Sequence, residues 1–319
     1  MARDPLTRRE FVVGSAAAGA ALVLTDVLAA APHGKRTFTI LHTNDMHSSF
    51  IGMGPAADYT PFSLNDDATR GGWARMGALI AKRREAAKAR GPVLVLDAGD
   101  FSMGTPFGAA SREVGGELQL MSRMGYDATT FGNHEFDLGP DGLGKAIRVA
   151  ARAGRVPSVV ASNTNVTAAD PTLADLQALA KQGVLRRHLV IERGGLRFGL
   201  FGLLGFEATH YTAGKGAVTF ADAIETAKEV VKTLRETEKA DVVICLSHGG
   251  VVKGTDGLYT NGDDVRLARE VPGIDVVVAH QPEQGRTVAP PVVLAQGRSL
   301  RLVEIEMPPH VIPHRAADV

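Results

Sequence analysis

The chain has one cysteine, aromatic rings at only 5% of positions and no surplus of either charge, Lys+Arg and Asp+Glu both numbering 35. Each shortage excludes something. A lone thiol, Cys245, forms no internal disulfide, so the fold is not disulfide-stapled. Its place in the apolar run 242–246 reads as a small buried residue on a core strand. A neutral balance with few aromatics lacks the basic face that a nucleic-acid polymer requires, so none is expected as a partner. Apolar residues at 45% against 22% charged still suffice for a substantial core. The sequence has no internal repeat and no low-complexity segment.

Residues 1–30 read as an address rather than as part of the fold. Arg8-Arg9, with Phe11 close behind, precede an Ala/Gly-rich apolar stretch, and Ala29, Ala30 and Ala31 supply small residues at a cleavage region. This is the charged, apolar and small-residue order of a secretory signal, and the arginine pair makes it similar to a twin-arginine export signal. A periplasmic or extracellular location is the expectation. An uncleaved anchor is the alternative, but the segment needs Thr25 and Asp26 to reach spanning length. No stable membrane partner beyond export is expected.

Beyond the signal, short β-branched runs alternate with longer amphipathic ones. Strands are expected over 37–41, 93–96, 128–131, 158–161, 241–246 and 275–278, and helices over 75–89, 118–124, 142–153 and 221–236. Gly194-Gly195 predicts a hairpin turn between 190–191 and 198–203, with closing strands at 292–294 and 300–305. The polar stretch 52–72 reads as a surface loop, and Pro308, Pro309 and Pro313 make 308–319 an irregular tail. Strand–helix alternation gives an α/β layered fold, with 34–307 as a single domain.

In open α/β sheets, sites assemble at the carboxyl ends of strands. Five expected strand exits carry His42-Thr43-Asn44-Asp45-Met46-His47, Asp97-Ala98-Gly99-Asp100, Gly132-Asn133-His134-Glu135-Phe136-Asp137, Ser247-His248-Gly249 and Ala279-His280. Five of the ten histidines, His42, His47, His134, His248 and His280, fall there. In extended chain, Asp45 and His47 share a face and can bind one cation. The Asp100 carboxylate has two oxygens and can bridge two cations, Asn133 offers an amide oxygen, and His248 and His280 complete an oxygen/nitrogen set. Such a set suits divalent Mn, Fe or Zn better than Ca. His134 can instead protonate a leaving group, with Asp137 orienting its ring. Taken alone, Asp45, His248 or His280 would be an ordinary turn or sheet-end residue; five such exits together are hard to explain that way.

These motifs resemble the metallophosphoesterase superfamily, in its 5′-nucleotidase branch. The resemblance implies a layered αββα sandwich as the catalytic domain and two divalent metal ions. Asp45, His47 and Asp100 would serve one metal, and Asp100, Asn133, His248 and His280 the other, with His134 and Asp137 as the catalytic dyad. It further implies hydrolysis of nucleotides or similar small phosphate esters by in-line attack of a metal-activated hydroxide. Two features depart from the family pattern. Pro282 stands where a second ligand follows the last strand's histidine, leaving Gln281, Glu283 or Gln284 as replacements, and Ala279 replaces a glycine. The length also leaves no room for the separate C-terminal domain of that branch. Both departures motivate an alternative, a degenerate member that binds metal or a partner and catalyses little. Oligomeric state is not legible.

Overall fold

The computed structural model describes residues 36–52, 71–253, 259–279 and 292–294. The expected export signal, the tail 308–319, the strand 300–305, His280 and the 281–284 replacements lie outside the described residues.

The described chain forms two five-stranded sheets packed face to face. The first holds β1 (Thr39–Thr43), β2 (Val93–Asp97), β3 (Ala128–Thr129), β4 (Ser158–Val160) and β5 (Leu185–Arg186), in that order and all parallel. The second holds β6 (His188–Arg193), β7 (Leu196–Leu204), β8 (Val242–His248), β9 (Val276–Ala279) and β10 (Val292–Leu294). Here β7, β8 and β9 run parallel, with β6 and β10 antiparallel at the edges. The hairpin between β6 and β7 turns at Gly194 (φ 59°) and Gly195 (φ 70°), the left-handed pair that a tight hairpin requires.

The alternation of apolar residues explains the layering. On β2, Leu94 and Leu96 enter the core between the sheets, whereas Val93 and Val95 join the outer core beneath the helices. On β8, Ile244 and Leu246 face inward while Val243 and Cys245 face the outer helices. Strands buried on both faces read as continuous apolar runs, as these do. Phe38 and Phe198 meet edge to face across the sheets at 5.3 Å between ring centroids.

Helices α1 (Trp73–Lys88), α2 (Gly116–Met124), α3 (Gly139–Ala153) and α4 (Ala174–Lys181) cover the first sheet with Met76, Ile80, Met121, Ile147 and Leu176. Helices α5 (Ala223–Lys232) and α6 (Asp263–Glu270) cover the second with Ala227, Val230 and Leu267. The result is the expected αββα arrangement. Helices α4 and α6 fall where none was expected, and two expected elements have other bounds. The expected helix 221–236 starts at Ala223, capped by Asp222 accepting from Glu225 N at 2.9 Å, and widens into a π turn at Thr233–Thr237. The expected strand 128–131 pairs only over Ala128–Thr129.

Candidate metal centre

Past the last ladder pair of β1 and β2, the two chains stay joined. Ala98 N donates to Thr43 O at 2.9 Å, Asp45 N to Gly99 O at 3.0 Å, and His47 N to Asp100 O at 3.0 Å. Asp45 (φ 52°), His47 (φ 43°), Ser48 (φ 49°) and Asp100 (φ 53°) are all left-handed. The extended-chain argument for Asp45 and His47 is therefore corrected: a pair of left-handed turns, not a strand face, brings His47 Nε2 to 3.8 Å from Asp45 Oδ1. His42 is also corrected, because it lies within β1 opposite Leu96 rather than at the exit.

Left-handed backbone at residues other than glycine costs about 1–3 kcal/mol each and persists only where the surroundings enforce it. At Asp100, Glu135 does much of that. Its buried carboxylate accepts hydrogen bonds from Asp100 N at 2.8 Å, Ser102 N at 3.0 Å, Ser102 Oγ at 2.9 Å and Gly132 N at 2.6 Å. Burial, with Asp100 adding, pushes Glu135 up to about 8, against the pull of these donors. Gly132 is forced by proximity, since a Cβ there would lie 2.1 Å from Asp100 Oδ1. Two more buried carboxylates brace neighbouring loops. Asp97 accepts from Thr43 and Thr129 hydroxyls, each at 2.7 Å, and Asp264 accepts from Ser247 Oγ and from Gly250 N at 3.0 Å.

The Asp100 side chain sits at the centre. Its Oδ2 lies 3.2 Å from His248 Nε2 and 3.9 Å from His47 Nε2, while Oδ1 accepts from His134 N at 2.9 Å. Asn133 Oδ1 lies 3.2 Å from His248 Nε2. His248 Nδ1 donates to Ala98 O at 2.9 Å, which directs Nε2 toward Asp100. Burial alone would depress the His248 imidazole, but the Asp100 carboxylate outweighs it and pushes it up to about 10. Asp100 moves the other way: burial opposes its charge, and His248 holds it well below the usual carboxylate range.

His134 stands beside this cluster, its ring edge to face with His47 at 5.2 Å, and Asp137 Oδ2 lies 2.7 Å from His134 Nδ1. Burial works against a charge on His134, and the carboxylates of Asp100 and Asp137 raise it above the ordinary histidine value.

Does this arrangement fit a divalent cation? The ligand atoms of Asp45, Asp100 and His248 lie within 4.8 Å of one another, close to the span of donors on opposite sides of one ion. His47 and Asn133 add an imidazole and an amide oxygen at the distances above. The mixed oxygen/nitrogen set suits first-row divalent ions. The negative potential that raises His248 is the one a cation would neutralise. The donors fit. Asp45, His47, Asp100, Asn133 and His248 are thus brought together, with His134 and Asp137 alongside, while His280 lies outside the described residues. Sequence reasoning assigned no role to Glu135, Asp97 or Asp264. The Glu135 signal was its place inside the Asn133–Asp137 stretch; for Asp264 no local signal existed.

Comparison with known proteins agrees with this geometry. The family model described as "Calcineurin-like phosphoesterase" matches residues 38–284. The chain is 29% identical over 259 residues to "Protein 5NUC" of Lutzomyia longipalpis, covering 81% of this chain and 41% of that protein. It is 31% identical over 241 residues to the 5′-nucleotidase of Rattus norvegicus, covering 75% and 37% respectively. Among solved structures, the 5′-nucleotidase precursor from Thermus thermophilus superposes with a TM-score of 0.57 at 29% identity, covering 76% of this chain and 41% of that one. The chain thus spans about two fifths of the length of these relatives. The matched span holds every strand of both sheets except β10, together with every described ligand candidate, and on that ground the chain belongs to the calcineurin-like phosphoesterase family, homologous to the 5′-nucleotidases.

Proposed function

We propose that this protein is an exported, metal-dependent hydrolase of small phosphate esters, nucleotides among them, working with two divalent cations. The observation that carries the reading is the single oxygen, Asp100 Oδ2, facing both His248 Nε2 at 3.2 Å and His47 Nε2 at 3.9 Å, with His134 next to it. A carboxylate so placed serves two ligand groups at once. Asp45 and His47 would hold one cation, and Asn133 and His248 the other. Bound there, divalent cations supply charge neutralisation at the phosphoryl oxygens and acidify water.

The chain's own residues do the rest. Asp137 accepts from His134 Nδ1 and fixes the ring, so Nε2 is the atom left to meet the substrate. Paired with Asp137, the His134 imidazolium donates its Nε2 proton to the departing oxygen as water attacks phosphorus and the P–O bond breaks. Glu135 keeps Asp100 and Gly132 in register, so the ligands need not reorganise during reaction. Export rests on the Arg8-Arg9 signal reading.

The test uses metal-stripped protein reloaded with Mn²⁺ or Zn²⁺. Release of phosphate from 5′-AMP, or of phenol from p-nitrophenyl phosphate and its bis-ester, is measured beside His134→Ala. Metal-restored turnover that the variant loses supports the assignment. One bound metal ion without turnover would instead favour the degenerate binder, and two bound ions with turnover would sink it.

A further inference from the structure

A cleft lined by one sign of charge focuses its field and concentrates ions of the other sign. At the amino ends of the first sheet lies a cleft of about 430 Å³, lined by Arg84, Lys88, Arg155 and Arg193 together with Pro92, Val93 and residues 125–127. The segments that border it, 82–92 and 151–157, carry seven Lys or Arg against Glu85 alone, in a chain whose two signs are equal. Val93 opens β2 and Asp97 closes it, so the cleft lies a strand's length from the metal centre.

The one carboxylate lining the cleft among the described residues is Asp127, and it is fully used. Its Oδ1 accepts from Arg193 Nη2 at 2.7 Å, and its Oδ2 from Arg193 Nη1 and Val95 N, both at 2.9 Å. Asp127 and Arg193 thus form a neutral floor. Arg84 rests on the same segment: its Nη2 donates to Gly125 O, and a Cβ on Gly125 would meet its Nη1 at 2.4 Å. A carbonyl takes one N–H of that guanidinium and leaves its charge. Lys88 pairs with Glu85, but the two side chains are 61% and 71% exposed, so water screens them. Arg155 is exposed and makes no ion pair or hydrogen bond with any described residue. Helices α1, α2 and α3 also end at this edge, each C-terminus worth roughly half a negative charge. Those ends and Glu85 offset less than half of the seven bordering cations.

We propose that this cleft is a binding site for a phosphate-bearing ligand, separate from the metal centre, in which Arg84, Lys88 and Arg155 hold the phosphate group. It stands independently of the esterase reading. A guanidinium meets two phosphate oxygens with its planar fork, and an ammonium adds a point charge. The volume is that of a small-molecule site and exceeds what phosphate alone fills, leaving room beside Pro92 for the group that bears it. A concave cleft suits one discrete anionic group better than an extended polymer. The same phosphate chemistry is presented by a phosphorylated metabolite in solution and by the headgroup of an anionic phospholipid.

The experiment titrates the metal-loaded full chain calorimetrically with inorganic phosphate, and in parallel floats it with vesicles of phosphatidylglycerol in phosphatidylcholine or of phosphatidylcholine alone. Both arms are repeated in Asp100→Ala, which removes the metal centre as a competing phosphate site. In each background Lys88→Gln is combined with Arg155→Gln, and separately Lys88→Arg with Arg155→Lys. These side chains are exposed and stand outside the Asp127 network, so the fold does not depend on them. The expected result is binding that survives Asp100→Ala, weakens about tenfold or more in the neutral pair, and is kept in the pair that preserves charge. Loss confined to the phosphate arm identifies a soluble ligand, and loss confined to the phosphatidylglycerol arm identifies a headgroup; either supports the site. Binding of neither probe by the wild type overturns it, as does binding that the neutral pair keeps in full. Phosphate binding that disappears in Asp100→Ala, with no preference for phosphatidylglycerol vesicles, belongs to the metal centre and overturns it too.

Discussion

At the amino ends of the strands, Asp127 accepts from both terminal nitrogens of Arg193 at 2.9 and 2.7 Å and from Val95 N at 2.9 Å. Asp275 repeats the pattern in the second sheet, with Arg235 and with Val243 N at 2.7 Å. At the carboxyl ends, among the described residues, no Lys or Arg pairs with Asp100; its partners there are the imidazoles His47 and His248. Both ends hold buried carboxylates, and the difference in partner separates their uses. An arginine satisfies a carboxylate permanently, because it never loses its proton. An imidazole can give its proton up, leaving a lone pair where a metal ion can bind. A cleft of about 430 Å³ at the amino edge, lined by Arg84, Lys88, Arg155 and Arg193, fits the same account. Helices α1 and α2 end there and Arg84 donates to Gly125 O, so cations at this edge meet helix carbonyls.

The sharpest way to break this contrast is at Asp100. Asp100→Ala should abolish metal-dependent phosphate release and lower the metal content measured by elemental analysis; full activity with two metals bound would sink the bridging role. His134→Ala should come next, reducing kcat by about 10²–10⁴ while leaving metal content intact. Two buried imidazoles sharpen the comparison further. His248, facing Asp100, is pushed up to about 10, whereas His42, with only burial acting, falls to about 4. Between pH 6.5 and about 4 the unfolded chain binds a proton that folded His42 refuses. Stability is therefore full above that window and lost as pH falls through it, by up to about 3 kcal/mol. Urea melts of wild type and His42→Gln across the window should show a shallower pH slope in the variant. The smallest effect belongs to the amino edge. Asp127→Ala should lower unfolding free energy by about 2 kcal/mol, since charged hydrogen bonds are lost at a partly exposed pair, with kcat unaltered. A large drop in kcat there would show that the two edges are not separate.

The sandwich was legible because strands buried on both faces carry uninterrupted apolar residues, as in 93–96 and 241–246, and because α1 and α3 keep their apolar side chains at helical spacing. Helix α4 was legible too: Leu173, Leu176 and Leu179 recur every third residue, though the expected helices omitted it. Helix α6 was not, since its buried apolar residues Val265 and Leu267 stand two apart, which is strand spacing, and its other buried residue is Asp264. Tertiary contact with Ser247 and Gly250, rather than periodicity, holds that aspartate inside.

The sequence by itself determined the layered α/β class and pointed to the strand exits and to a candidate set of oxygen and nitrogen donors. Those follow from local pattern and side-chain type. Only the tertiary structure decided how the donors meet. It placed Asp45, His47 and Asp100 in left-handed backbone, with Asp100 held by Glu135 and the other two by the backbone of residues 99 and 100, and set His42 inside β1. It also brought Asn133 and His248, 115 residues apart, to 3.2 Å. The physical reason is that a strained backbone and a converging set of carboxylates are unfavourable locally. They are stabilised only by hydrogen bonds that arrive from elsewhere in the chain.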